Sequence, residues 1–195
     1  MGQCLRTYLA TIREPLNLLF TRIGSLERRG GLAMGTTKSG RYINTKGSGR
    51  SASDFAVVHS NEGAYTHPKE KNRRIRLASG GHGQTGMNEL DKYGIEYHVV
   101  KTYPNGVRVG YVPDHKDKSK RSGIGQAWFP KDWTSRDIKR AGEHVAGLKG
   151  NRKVKDGVTI WGMWKGVRVG VKRTNGKIAT IFPDKHQPSS RKKGR

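Results

Sequence analysis

Apolar and polar positions along the chain change their pattern twice. Over residues 5–23, Leu5, Leu9, Ile12, Leu16, Leu19 and Ile23 recur at helical spacing, and Pro15 predicts a kink or break. Residues 29–54 are rich in Gly, Ser, Thr and Lys with almost nothing apolar to bury, which reads as a flexible linker. From Phe55 onward, short alternating runs take over. Ile95, Tyr97 and Val99 alternate ahead of the turn Pro104-Asn105-Gly106; Val158, Ile160 and Gly162 precede Lys165-Gly166. Each turn opens the same pentapeptide: Gly106-Val107-Arg108-Val109-Gly110 recurs as Gly166-Val167-Arg168-Val169-Gly170. Two β-hairpins with a common origin are the simplest reading. Between them lies the clearest helix. Thr134 and Asp137 form a capping box, Trp133 and Ile138 a hydrophobic staple, and Ile138, Ala141, Val145 and Leu148 share a face. A shorter helix is predicted around Gln84 to Tyr93. The expected class is α+β, with two similar antiparallel β lobes, a cleft between them and a few helices. The expected organisation is a helical segment at 1–28, a linker at 29–54, a folded domain at 55–186 and a basic tail at 187–195.

Charge changes the picture next. Lys and Arg number 39 against 15 Asp and Glu, a net +24 on 195 residues. Such a surplus points to a polyanion, nucleic acid first, because bound phosphates release condensed counterions. One cysteine, Cys4, leaves no intrachain disulfide and no thiolate set for zinc, which fits a reducing compartment. No apolar run is long enough to span a bilayer. Arg13, Glu14 and Pro15 interrupt any secretion signal, and Arg6 stands where a myristoylation pattern wants Ser or Thr.

Seven histidines are the natural candidates for chemistry. His82 has the most unusual setting, Ser79-Gly80-Gly81-His82-Gly83-Gln84, because flanking glycines let a substrate approach closely. His67 precedes a largely basic run. His115 opens the cationic loop His115-Lys116-Asp117-Lys118-Ser119-Lys120-Arg121, which can lie over a cleft. His98 alternates within a strand and reads as a sheet residue; His59, His144 and His186 read as structural or exposed.

Gly80-Gly81-His82, the run Trp128-Phe129-Pro130 followed by Trp133 and a helix, the paired Gly-Val-Arg-Val-Gly segments, and the closing Lys177-Ile178-Ala179-Thr180-Ile181-Phe182-Pro183 together resemble the bacterial EndoU nuclease domain, found at the C-termini of polymorphic and contact-dependent toxins. The resemblance runs from about His59 to Asp184. It implies a metal-independent endoribonuclease with no cofactor, working like RNase A: one histidine deprotonates the ribose 2′-hydroxyl, a second protonates the departing 5′-oxygen, and a lysine neutralises the phosphorane-like charge. His82 matches the family's Gly-Gly-His. His67 stands at the spacing of the other histidine but lacks the family's His-Ile-Leu-x-Gly-Glu setting, so His115 competes for that role. The family lysine falls just before Phe-Pro, where this chain has Gln126; Lys120 is the nearest upstream lysine, with Lys116 and Lys118 as alternatives. Thr180 and Phe182 match the base-recognition pair, with Phe for the usual Tyr. Arg108 and Arg168, the cations of the two repeats, join them as candidate substrate contacts. The implied partners are RNA, with transfer RNA an attractive target, and a cognate immunity protein, expected to be acidic. The implied site of action is the cytoplasm of a target cell, after delivery by the producing bacterium. Two other classes stand against this reading. One is a non-catalytic basic RNA-binding module. The other is a metal-dependent DNase, for which carboxylates are scarce and no His-Asn-His spacing is present.

Overall fold

The computed structural model describes residues 50–66 and 74–188. The segment 5–23, the linker before residue 50, His67 and the tail from 189 lie outside the described residues.

Strand β7 (Val167–Thr174) shows why the second repeat folds as it does. Val167, Val169, Val171 and Arg173 are buried and Arg168, Lys172 and Thr174 are exposed, the period-2 pattern of a sheet with one covered face. It lies between β6 (Ile160–Trp164) and β8 (Lys177–Pro183) in an antiparallel sheet joined by tight turns at Lys165-Gly166 and Asn175-Gly176. The long helix α3 (Ser135–Gly147) covers that face. Its predicted capping box forms with both bonds present, and Ile138, Ala141, Val145 and Ala146 are buried against Val167, Val169, Val171 and Ile181. Trp133, just before the cap, stacks on Phe129 at 5.0 Å.

The first repeat supplies β4 (Arg108–Tyr111), between β3 (His98–Thr102) and β5 (Gln126–Trp128) in a second antiparallel sheet. Each copy of the pentapeptide therefore contributes the middle strand of a three-stranded sheet. The copies differ in how the third strand arrives: β8 follows a tight turn, whereas residues 112–125, with a 3-10 turn at Lys118–Lys120, intervene before β5. Helix α2 (Gln84–Lys92) packs Met87 and Leu90 with Leu77, Ile95, Val112 and Trp128 in a second apolar cluster.

The class is α+β, as the pattern predicts. Two features are additional to that prediction. A short ribbon, β1 (Ala64–Tyr65) with β2 (Leu77–Ser79), forms a third sheet. Helix α1 (Asp54–Asn61), capped by the Ser53 hydroxyl, opens the described fold. Ala52 ahead of it is 2% exposed, bridges Ile178 in parallel and donates its N–H to Glu143, so ordered packing begins before the expected boundary at Phe55. Phe55 itself is 83% exposed.

Candidate active site

The glycine-flanked loop sits directly on the end of α1. The N–H groups of Gly81, His82 and Gly83 donate to the carbonyls of His59, Ser60 and Asn61 at 3.1, 2.7 and 3.0 Å, satisfying helix-terminal acceptors that would otherwise lack partners. Gly80 has φ +73°, and a Cβ there would collide with the His59 carbonyl oxygen. Only glycine meets both demands. The contact brings His59 and His82 to one place, and the Ser60 hydroxyl, accepting the Ile181 N–H at 2.9 Å, ties that place to β8.

His82 is buried, and its Nδ1 lies 2.7 Å from the Ala127 carbonyl. A carbonyl only accepts, so the proton is assigned to Nδ1 and Nε2 keeps its lone pair. Burial first, then the Lys120 charge, hold its pKa well below the ordinary imidazole value, against the hydrogen bond to Ala127. His59 is half-buried and lowered for the same two reasons in the same order. Lys120 ends the 3-10 turn and donates through Nζ to Gln126 Oε1 at 2.8 Å; Gln126 in turn donates to the Gly80 carbonyl at 3.0 Å. The amide side chain thus links the lysine to the histidine loop. Burial lowers the Lys120 pKa, and Asp117 opposes the shift. His115 is fully buried. Its Nδ1 accepts the Asp117 N–H at 2.9 Å, leaving the proton on Nε2, which has no partner among the described residues. Burial, then Lys120, push it down to about 4.

These groups face a cleft of about 650 Å³ whose lining includes His59, His82, His115, Lys120, Thr180 and Phe182. The Phe182 ring lies 5.8 Å from that of His82. Among the described residues, no three or more His, Cys, Asp or Glu side chains converge as ligands for a metal ion. A family model described as bacterial EndoU nuclease matches residues 55–185. The chain belongs to the bacterial EndoU nuclease family. Neither a curated protein nor a solved structure matches it. The EndoU domain is thus a nuclease, with nucleic acid as its substrate. Among the described residues no helix is long and apolar enough to cross a membrane.

The EndoU domain gathers some of the sequence-predicted residues and disperses others. His82, His115, Lys120, Thr180 and Phe182 line the cleft. Gln126 does not: it is fully buried, serving Lys120 from beneath rather than meeting a substrate. Lys116 and Lys118 are exposed and outside the lining. Arg108 is also outside it, because its guanidinium is engaged by Gln84 Oε1 and the Phe129 carbonyl, both at 2.7 Å. Arg168 is also outside the lining, ion-paired with Asp184 at 3.1 Å. His67 lies outside the described residues. His98 opens β3 and pairs with Tyr111 of β4, and His144 is exposed against Trp164. His186 is exposed at the cleft rim.

His59 is the correction. Read from the sequence as structural or exposed, it lines the cleft beside His82. A signal existed: His59-Ser60-Asn61-Glu62-Gly63 keeps the His and the Gly of His-Ile-Leu-x-Gly-Glu at their family spacing, with polar residues where the pattern has Ile and Leu.

Proposed function

We propose that the EndoU domain is a metal-independent endoribonuclease in which His59, His82 and Lys120 act on one ribose-phosphate linkage. The observation that carries this reading is the convergence of the His59 and His82 imidazoles and the Lys120 ammonium on one cleft. His82, held neutral with a free Nε2, takes the proton of the 2′-hydroxyl as the 2′-oxygen attacks phosphorus. His59, less deeply buried, is charged by the approaching phosphate and gives its proton to the 5′-oxygen as the P–O5′ bond breaks. The Lys120 ammonium offsets the charge that develops on the non-bridging oxygens. The products are a 2′,3′-cyclic phosphate and a 5′-hydroxyl. Thr180 and Phe182 receive the base: the ring stacks, but without a phenolic hydroxyl it reads the base less strictly than Tyr does.

On this reading the protein is a toxin delivered by its producing bacterium into a target-cell cytoplasm, with transfer RNA the first target to assay. A net charge of +24 favours an acidic immunity protein as its inhibitor. The test is incubation with total RNA in EDTA, followed by end mapping. Cleavage should proceed with chelator present, spare any linkage whose 2′-hydroxyl is replaced by hydrogen, and fall about 10²- to 10⁴-fold in His82→Ala and in His59→Ala. A divalent-ion requirement, or cutting of DNA, would reject the mechanism.

A further inference from the structure

The sheet of the second repeat turns a face toward the cleft of which the chemistry above uses only Thr180 and Phe182. Registered across it are three residues in one row: Trp161 on β6, Gly170 on β7 and Phe182 on β8. A Cβ at Gly170 would stand 2.7 Å from the Trp161 ring and 2.8 Å from the Phe182 ring, so the absence of a side chain there lets the two aromatics converge. Their centroids are 5.6 Å apart, edge to face. Two residues along β7 in either direction, about 7 Å at strand spacing, a cation stands on the same face: Lys172 opposite Thr180 on one side, Arg168 opposite Met163 on the other. The Arg168 guanidinium lies 5.0 Å over the Trp161 ring and is held by Asp184, which also accepts the His186 N–H at 2.9 Å. Trp161, Lys172, Thr180 and Phe182 all line the cleft that holds His82.

Aromatic rings on an open sheet face, with cations in the flanking rows, suit unstacked bases and the phosphates between them. Phe182, 5.8 Å from His82, serves the nucleotide at the cut. Trp161 stands beyond it on the far side of β7, its ring 5.6 Å from that of Phe182. We infer that Trp161, braced by Arg168, is the stacking site for a second nucleotide, next to the one at the cut, so that the site takes single-stranded RNA and reads it across at least two bases. This inference rests on the ribonuclease reading of the cleft. A base pressed on Trp161 must leave its own helix, so paired RNA is a poorer substrate than a loop.

The test uses the full chain and tetranucleotide RNAs in which the base 5′ or 3′ of the cleaved nucleotide is replaced by an abasic ribose. Wild-type protein should show a kcat/KM about five- to 100-fold higher for the intact RNA than for one of the two abasic analogues. In Trp161→Ala that ratio should fall to about one, in Trp161→Phe it should return in part, and in Gly170→Ala, which drives the rings apart, it should shrink. A residue important only for packing would lower all substrates together and leave the ratio intact; that result, or a wild-type ratio of one at both positions, overturns the inference. A second arm is independent of cutting. A tetranucleotide with a 2′-deoxy residue at the cleavage position should quench tryptophan fluorescence in wild type and much less in Trp161→Phe. Equal quenching in both also overturns it. Quenching that depends on Trp161 in a protein that never cleaves RNA would instead sink the ribonuclease mechanism and leave the stacking site standing.

Discussion

Among the residues of the cleft, His115 has the plainest thermodynamic signature. With its Nδ1 accepting the Asp117 N–H and its ring fully buried, it titrates near 4 in the folded protein, against about 6.5 in an unfolded chain. Between those values the unfolded chain binds a proton that the folded one refuses. Stability is therefore insensitive to this group above pH 6.5, declines as the pH falls from there to about 4, and levels off below. His59 and His82 are lowered too and add to the same slope. In His115→Asn the side-chain oxygen can still accept the Asp117 N–H, but nothing titrates. Denaturant unfolding from pH 4 to 8 should show a shallower decline in the variant than in wild type. Parallel curves would mean that His115 is not held neutral by burial. The same residue illustrates what a sequence withholds: the cationic loop was visible, but whether its histidine faced solvent or the interior depended on Lys116 donating its N–H to Leu77, a contact far along the chain.

At the scale of elements, the decisive junction is the Gly80 loop on α1. Gly123 offers a control, since it too has positive φ but a Cβ there would meet nothing within 4 Å. Gly123→Ala bears only the cost of the left-handed backbone, about 1 kcal/mol. Gly80→Ala must in addition lift the loop from the His59 carbonyl, so it should be less stable than Gly123→Ala and should lose about 100-fold in RNA cleavage through misplacement of His82 relative to His59. Equal effects of the two changes in melting and turnover would show that the junction positions nothing. Helix α3 and the two central strands were legible because their signals are local: Thr134 and Asp137 cap within one turn, and the pentapeptide carries its own turn and alternation. Helix α1 was not. Its apolar residues 55–58 run consecutively, Phe55 and Val58 are exposed, and two of its buried positions are Ser60 and Asn61, made acceptable by bonds to β8 and to α2's Thr85. Without that helix, His59 had no visible relation to His82. The repeat misled in one respect. Arg108 and Arg168 occupy the same letter of the pentapeptide, yet Gln84 and Phe129 engage the first while the second braces Trp161.

For the whole molecule the question is how much of the +24 charge acts at the cleft. Lys120, Lys172 and Lys185 line it, and Arg168 lies over the Trp161 ring that also lines it. Each phosphate neutralised on a single strand contributes about 0.7 to the slope of log affinity against log salt. Three or four such contacts give a slope of about −2 to −3, a fall in kcat/KM of about 20- to 50-fold between 50 and 200 mM salt for a short RNA under subsaturating conditions. Lys172→Ala should make the slope shallower by about 0.7. Lys153→Ala, which removes another exposed cation, from the loop before β6 and outside the cleft, should leave it unchanged. If both substitutions shift the slope alike, the phosphates are responding to the molecule's diffuse field, and the sheet face with its aromatic row has no privileged hold on the strand. If only the first does, the excess of lysine and arginine elsewhere concentrates RNA near the surface, and the cleft selects the linkage to be cut.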